Sequence, residues 1–219
     1  MNYKNQITMD LSAIRKEYTK ARLDKDSIDA SPIVQLEKWL HQAKAANCNE
    51  YTAMTIATAN TEGQPSVRTV LLKFIKKDGL YFFTNYLSRK GKDLSINPKI
   101  AAHFFWPELE RQVKIEGLVH KAAPEISDSY FRSRPHESQI SAVISRQSTE
   151  LPDREALEEL WELEKAKWLN KKIDRPEYWG GYLIKPTRIE FWQGRPHRLH
   201  DRICYQKSID GWKIKRLSP

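Results

Sequence analysis

Apolar residues recur at helical spacing in two stretches of the chain and at strand spacing through most of the remainder. Ser31-Pro32 reads as an N-cap followed by the first helical residue, and Ile33, Leu36, Leu40 and Ala43 then share one face. This spacing predicts a helix ending near Asn47. From residue 52 the texture changes. Residues 52–60, 66–76 and 80–85 are rich in Val, Ile, Thr and Phe, and Glu62-Gly63 and Asp78-Gly79 separate them. Such runs predict an antiparallel meander. Residues 100–106 and 111–121 form a second pair, joined by a turn at Pro107-Glu108. In the latter, Val113, Ile115 and Val119 alternate with Gln112, Lys114 and Glu116, as in a strand with one buried face.

Residues 124–170 return to helical spacing, with Pro124 near one start and Asp153 capping a second helix. Leu157, Leu160, Trp161, Glu164 and Trp168 form that helix's stripe. Strands are predicted again at 182–185, 188–193, 202–206 and 212–217, with Asp210-Gly211 as the last turn. The strand count and short turns predict an α+β fold, a closed barrel with helices outside. There is no internal repeat, low-complexity tract or Gly/Ser linker. One domain is therefore expected over residues 31–219, behind a polar, partly ordered segment 1–30 in which 14–18 can form a short helix.

Composition narrows the function. With 219 residues, 40% hydrophobic and 30% charged, the chain has the profile of a soluble globular protein. Its apolar runs are too short to span a bilayer, and the first residues lack a signal-peptide core, so no membrane association is expected. Cys48 and Cys204 are the only cysteines, which fits a reducing compartment and predicts a cytoplasmic protein. Lys plus Arg number 37 against 28 Asp plus Glu, a formal charge of +9. The cations are scattered singly rather than gathered in a stripe, which suits small phosphates better than nucleic acid. Neither G-x-G-x-x-G nor G-x-x-x-x-G-K-[ST] occurs. Any phosphate must therefore be held by side chains and strand-end amides.

Four constellations carry candidate chemistry. Arg68 and Lys73 lie five apart on one predicted strand, so they face opposite sides unless a bulge intervenes; they serve two anions, or are surface cations. Ser88-Arg89-Lys90 stands where a strand feeds a short helix, as a phosphate cradle or an ordinary N-cap with solvated neighbours. Tyr130 and Arg134 sit at helical i and i+4, and Ser138, beyond Pro135, is placed to cap the next segment. A phenol, a guanidinium and a hydroxyl suit a phosphate monoester, or the three lie on the surface. The densest is Glu190-Phe-Trp192-Gln-Gly-Arg-Pro-His197-Arg198-Leu-His200-Asp201-Arg202. If extended, it puts Arg198, His200 and Arg202 on one face, too cationic to bury without an anion. His197 and His200 lack the further ligands a metal needs.

Taken in order, these segments resemble the pyridoxine/pyridoxamine 5′-phosphate oxidase family. The most specific stretch is Ile189-Glu-Phe-Trp-Gln-Gly194 followed by His197-Arg-Leu-His-Asp-Arg202, and 15–18, 68–73, 88–90, 110–112 and 133–135 match as well. The resemblance implies an FMN-binding split β-barrel with flanking helices, working as a homodimer with FMN at the subunit interface. It implies FMN contacts at Arg68, Val70, Lys73, Phe83, Thr84, Arg89, Lys90, Gln112, Gln147, Ser148, Trp192 and Arg202. It places the substrate phosphate on Lys73, Tyr130, Arg134 and Ser138 and the pyridine ring on Arg198 and His200, with Arg15 and Tyr18 closing over the substrate. The implied reaction is oxidation of pyridoxine or pyridoxamine 5′-phosphate by O2, with Arg198 and His200 as the catalytic pair. Phe83, Leu87 and Arg195-Pro196 depart from the familiar pattern, the last just ahead of Arg198. A flavin reductase, a silent carrier of a B6 phosphate and a nucleic-acid-binding barrel are the competing functions.

Overall fold

The stretch 66–76, expected as one strand, is two strands in the computed structural model, which describes residues 11–219. β2 (Pro65–Leu71) pairs with β1 (Ala53–Ala59), and β3 (Phe74–Lys76) pairs with β4 (Gly79–Asn85). At the break, Leu72 donates its N–H to Thr52 on one side and Lys73 donates to Tyr81 on the other. The chain thereby passes from one sheet edge to the other. The remaining strands are β5 (Lys99–Trp106), β6 (Arg111–Lys121), β7 (Trp179–Gln193), β8 (Asp201–Ser208) and β9 (Gly211–Leu217). The strands run β2-β1-β5-β6-β7-β4-β3, antiparallel throughout, with β8 and β9 extending from β7, and the Leu72–Lys73 stretch of chain links the two ends of this path. A split barrel results, in which, among the described residues, no ladder joins β2 to β3.

β7 is the spine. Its first half, 179–184, pairs with β4 and its second, 188–193, with β8, while β6 runs beside both. The two short strands expected here are one continuous strand. Where a break between 185 and 188 was expected, the irregularity lies instead in the neighbouring β6, as a register shift at Glu116/Gly117. Gly117 is needed there, because a β-carbon would lie 2.3 Å from the Lys185 carbonyl oxygen.

The core fills the barrel with Met54, Ile56, Phe82, Phe104, Ile115 and Phe191, all fully buried. α1 (Pro32–Ala45) covers one end with Leu36, Trp39, Leu40 and Ala43, and Trp39 meets Phe191 edge-on at 5.0 Å. Ser31 caps it as expected, its hydroxyl accepting from Val34 N–H. α2 (Arg89–Ile96) links β4 to β5.

Between β6 and β7 lie three helices rather than two: α3 (Pro124–Ser133), α4 (His136–Ile144) and α5 (Arg154–Trp168). Pro135 separates the first pair, since it cannot donate into a continuing helix. It also takes the N-cap position of α4, so Ser138 lies inside that helix and does not cap it. Asp153 caps α5 by accepting from Ala156 N–H. The expected stripe of α5 is only half-sheltered: Trp161 and Trp168 are partly buried, while Leu160 is exposed. Among the described residues no helix is long and apolar enough to cross a membrane.

Candidate functional site

A cavity of about 560 Å³ opens between β2, β4 and the α3–α4 corner. Arg68, Val70 and Lys73 line it from the β2–β3 stretch, Phe83 and Thr84 from β4, and Lys90 from α2. Tyr130, Arg134 and Gln147 complete the far wall. Arg68 and Lys73 were expected to face opposite sides. They line one cavity, because the break at Leu72–Lys73 resets the alternation.

Each cation has a distinct environment. Arg68 donates to Thr58 Oγ1 (2.7 Å) and Ser66 Oγ (2.9 Å), and Thr58 in turn donates to Asp93 (2.6 Å). Lys90 is buried, and its Nζ donates to Gln147 Oε1 at 2.6 Å, Thr84 Oγ1 at 3.1 Å and Ser88 Oγ at 3.2 Å. Burial, reinforced by nearby Arg68, brings the Lys90 pKa down to about 8. Arg134 stands just past the end of α3, its guanidinium 4.7 Å from the Trp179 ring centroid, and its Nη1 is buried with no hydrogen-bond partner. Tyr130 stacks on Phe83 at 4.0 Å. No carboxylate is among the described residues lining this cavity. Four cations facing one space without an acid call for an anion.

Of the Ser88-Arg89-Lys90 group only Lys90 reaches the cavity. The Ser88 hydroxyl is committed to capping α2, accepting from Gly91 N–H and donating to the Asn85 carbonyl. Arg89 is exposed at the helix start. Ser138 is half-buried in α4 and Ser148 is exposed with φ 70; neither lines the cavity.

The C-terminal motif is arranged differently from the extended segment expected. Residues 196–198 form a tight 3-10 turn in which His197 (φ 57) and Arg198 (φ 61) are left-handed, so simple alternation does not apply. Arg202 does not await an external anion. It donates Nε to Glu190 Oε1 (2.9 Å) and Nη2 to Oε2 (3.1 Å), a bidentate pair with a carboxylate only 2% exposed. Burial works to raise the Glu190 carboxyl's pKa, but hydrogen bonding from Arg202 and the charges of Lys114 and Arg188 hold it below the usual carboxylate value.

His200 rests against Trp192, ring centroids 4.6 Å apart, and against Tyr18 at 5.8 Å. Its Nδ1 accepts the Arg195 N–H at 3.1 Å, so the neutral ring carries its proton on Nε2. Burial, followed by the charge of Arg198, lowers its pKa. Gln112, Trp192 and Arg202 are register partners across β6, β7 and β8, and Gln112 Oε1 meets His103 Nε2 at 3.0 Å. Arg15, Tyr18, Arg195, Arg198 and His200 border a second cavity of about 960 Å³. Among the described residues no His/Cys/Asp/Glu group is suited to a metal ion.

Sequence reasoning gave no role to Glu190 or Trp179. The signal for Glu190 is an acid between Ile189 and Phe191 on a predicted strand, where a charge needs a partner. Trp179 carried none, because its neighbour Arg134 is remote in sequence.

Comparison with known proteins agrees with this geometry. Residues 40–160 match the family model described as pyridoxamine 5′-phosphate oxidase. Residues 179–219 match that of the pyridoxine 5′-phosphate oxidase C-terminal dimerisation region. The chain is 51% identical over 215 residues to the pyridoxine/pyridoxamine 5′-phosphate oxidase of Haemophilus influenzae, covering 96% of this chain and all (100%) of that one. It is 49% identical over 211 residues to the enzyme of the same name from Bacteroides thetaiotaomicron, covering 96% and 99%. Among solved structures it is similar to PhzG from Burkholderia lata 383 in complex with tetrahydrophenazine-1-carboxylic acid, with TM-score 0.87, 30% identity and coverage of 92% and 99%. A pyridoxamine 5′-phosphate oxidase-related, FMN-binding protein from Nostoc punctiforme shares the fold at TM-score 0.70 and 14% identity, covering 88% of this chain and all (100%) of that one.

Proposed function

This chain belongs to the pyridoxamine 5′-phosphate oxidase family, and from that premise we propose that it oxidises pyridoxine and pyridoxamine 5′-phosphates to pyridoxal 5′-phosphate. FMN is the cofactor, and O2, reduced to H2O2, is the electron acceptor. The observation that carries this reading is the acid-free cavity holding Arg68, Lys73, Lys90 and Arg134. The buried, unpartnered Arg134 Nη1 and the buried Lys90 fit phosphate oxygens, which accept several charge-assisted hydrogen bonds. Two phosphate esters, of FMN and of substrate, divide these cations and the Tyr130 phenol: Arg68 and Lys90 toward the first, Arg134 with Tyr130 toward the second, Lys73 between them.

FMN supplies the two-electron acceptor for hydride leaving the substrate's C4′ carbon. The chain supplies position. Phosphate binding energy at Arg134 and Tyr130 fixes the ring, and Arg198 with the Nε2–H of His200 orients it and the C4′ oxygen or amine. The amine substrate additionally takes up water and releases ammonia when its imine is hydrolysed.

The two sets of residues point to a homodimer. Trp179 lines the cation cavity, whereas Trp192 packs on His200 near the other end of β7, roughly 40 Å of strand contour away. A second copy bringing its C-terminal motif to the cation cavity unites them, in keeping with the match to a dimerisation region over 179–219.

The test is spectroscopic. Pyridoxine 5′-phosphate added without O2 bleaches the flavin absorbance of the purified protein, and readmitted O2 restores it. NADH and unphosphorylated pyridoxine leave it unchanged. A flavin spectrum indifferent to the phosphate ester overturns the proposal, and bleaching by NADH makes the protein a flavin reductase.

A further inference from the structure

Residues 17–24 run across the C-terminal motif and are fastened there by side chains far away in sequence. Glu110 Oε2 accepts both Thr19 N–H (2.9 Å) and Lys20 N–H (3.1 Å). Arg195 Nη1 donates to the Ala21 carbonyl (3.1 Å), and Asp201 Oδ2 accepts Leu23 N–H (3.1 Å). Arg216 donates to the Leu23 carbonyl (3.1 Å), and Leu23 itself is buried in the core. This strap carries Tyr18 onto Trp192 and His200, both at 5.8 Å, and brings Glu17 Oε1 to the His197 N–H at 2.9 Å. The fit is close, since a β-carbon on Gly194 would lie 2.7 Å from Tyr18 Cγ.

Glu110 differs from the other fasteners. It is 2% exposed and sits in the tight turn between β5 and β6 with φ 55. Asp201 has Arg195 and Arg216 as ion partners, but no cation pairs with Glu110 among the described residues. The hydrogen bonds recorded to its carboxylate are the two strap amides. A buried carboxylate is costly without donors, so docking of the strap is coupled to satisfying this charge.

We propose that Glu110 is a positioning residue for the oxidation: its carboxylate pins residues 17–20 so that Tyr18 walls the His200 ring on the substrate side. This deepens the function proposed above and rests on it for its kinetic part. Glu110 acts through the strap and touches neither substrate nor FMN.

The experiment compares Glu110→Ala and Glu110→Gln with the unaltered holoenzyme. Removing two charge-assisted hydrogen bonds should speed trypsin cleavage after Lys20 and Arg22, followed by mass spectrometry, by about tenfold or more. KM for pyridoxine 5′-phosphate should rise by about tenfold, with FMN content unchanged and kcat less affected. Glu110→Gln keeps an acceptor oxygen and should remain within about threefold of the parent in both readouts. In a Tyr18→Ala background, Glu110→Ala should add little to KM, because the group it positions is already gone. Unchanged cleavage and KM in Glu110→Ala overturn the proposal. So does a parallel loss of FMN and of Tm, which marks a purely structural carboxylate. Absence of oxidase activity in the parent would defeat the proposed function instead, while the protease comparison would still decide whether Glu110 holds the strap.

Discussion

The cation cavity and the C-terminal motif handle charge in opposite ways. In the cavity, Arg68, Lys73, Lys90 and Arg134 meet hydroxyls, an amide and aromatic faces, but no lining carboxylate. In the motif, Arg202 is closed by Glu190, Arg195 and Arg216 share Asp201, and Glu110 and Glu17 accept backbone amides. The first region leaves its charge for a ligand; the second spends its charge on geometry. Substitutions in the cavity should therefore act on affinity for phosphate esters, and loss of the motif's orienting Arg198 on turnover, while its fasteners such as Glu110 act through the strap.

Arg198 gives the sharpest contrast, because it is exposed at the rim of the motif and awaits substrate. Arg198→Ala should lower kcat/KM by about a thousandfold, with FMN content unchanged, as expected when a charged orienting group is lost. Full turnover in a flavin-replete variant would remove Arg198 from the site. Lys90→Met is the counterpart in the cavity. It should weaken FMN binding by about a hundredfold, the scale of one charge-assisted contact to phosphate, while flavin-saturated turnover changes much less. Fluorescence titration of the apoprotein with FMN measures it.

Arg134 tests whether the cavity sacrifices stability for binding. Its buried Nη1 lacks a partner, which costs roughly 1–3 kcal/mol in the ligand-free protein. Arg134→Met should therefore raise the Tm of the FMN-free, substrate-free protein while raising KM by about tenfold or more. A lowered Tm would mean that the cation–π contact with Trp179 outweighs the missing hydrogen bond.

What the sequence disclosed follows the same division. Local signals were readable: the Ser31 and Asp153 caps and the Asp78-Gly79 and Asp210-Gly211 turns depend on neighbours within a few residues. Local pattern named the candidate cations singly, and only the family resemblance grouped them. Arg68 and Lys73 share a wall only because the chain changes partners at Leu72–Lys73, from the β1 side to the β4 side. Arg202 was taken to need an outside anion because Glu190, its partner across β7 and β8, lies 12 positions away. Glu110 reaches the strap across 91 positions, and no local pattern encodes such a pairing.

The effect most specific to the cavity is the response of FMN binding to pH. Burial first, and Arg68 second, hold the Lys90 pKa at about 8, against an ordinary value of 10.5. A phosphate dianion beside Nζ favours the charged form and restores a higher pKa. Binding above pH 8 thus takes up a proton, and FMN affinity should fall as pH rises, by at most about tenfold per unit. Stability of the apoprotein should move the other way. Between the folded pKa of about 8 and the unfolded value of 10.5, the unfolded chain holds more of this proton, so rising pH relieves the cost of burying charged Lys90. Urea melts of the apoprotein and FMN titrations at about pH 7.5 and 9.5 read the two slopes. Opposite signs in the parent, both abolished in Lys90→Met, place the charge demand of the cavity on this lysine. Slopes that persist in the variant assign it to another group on the same wall.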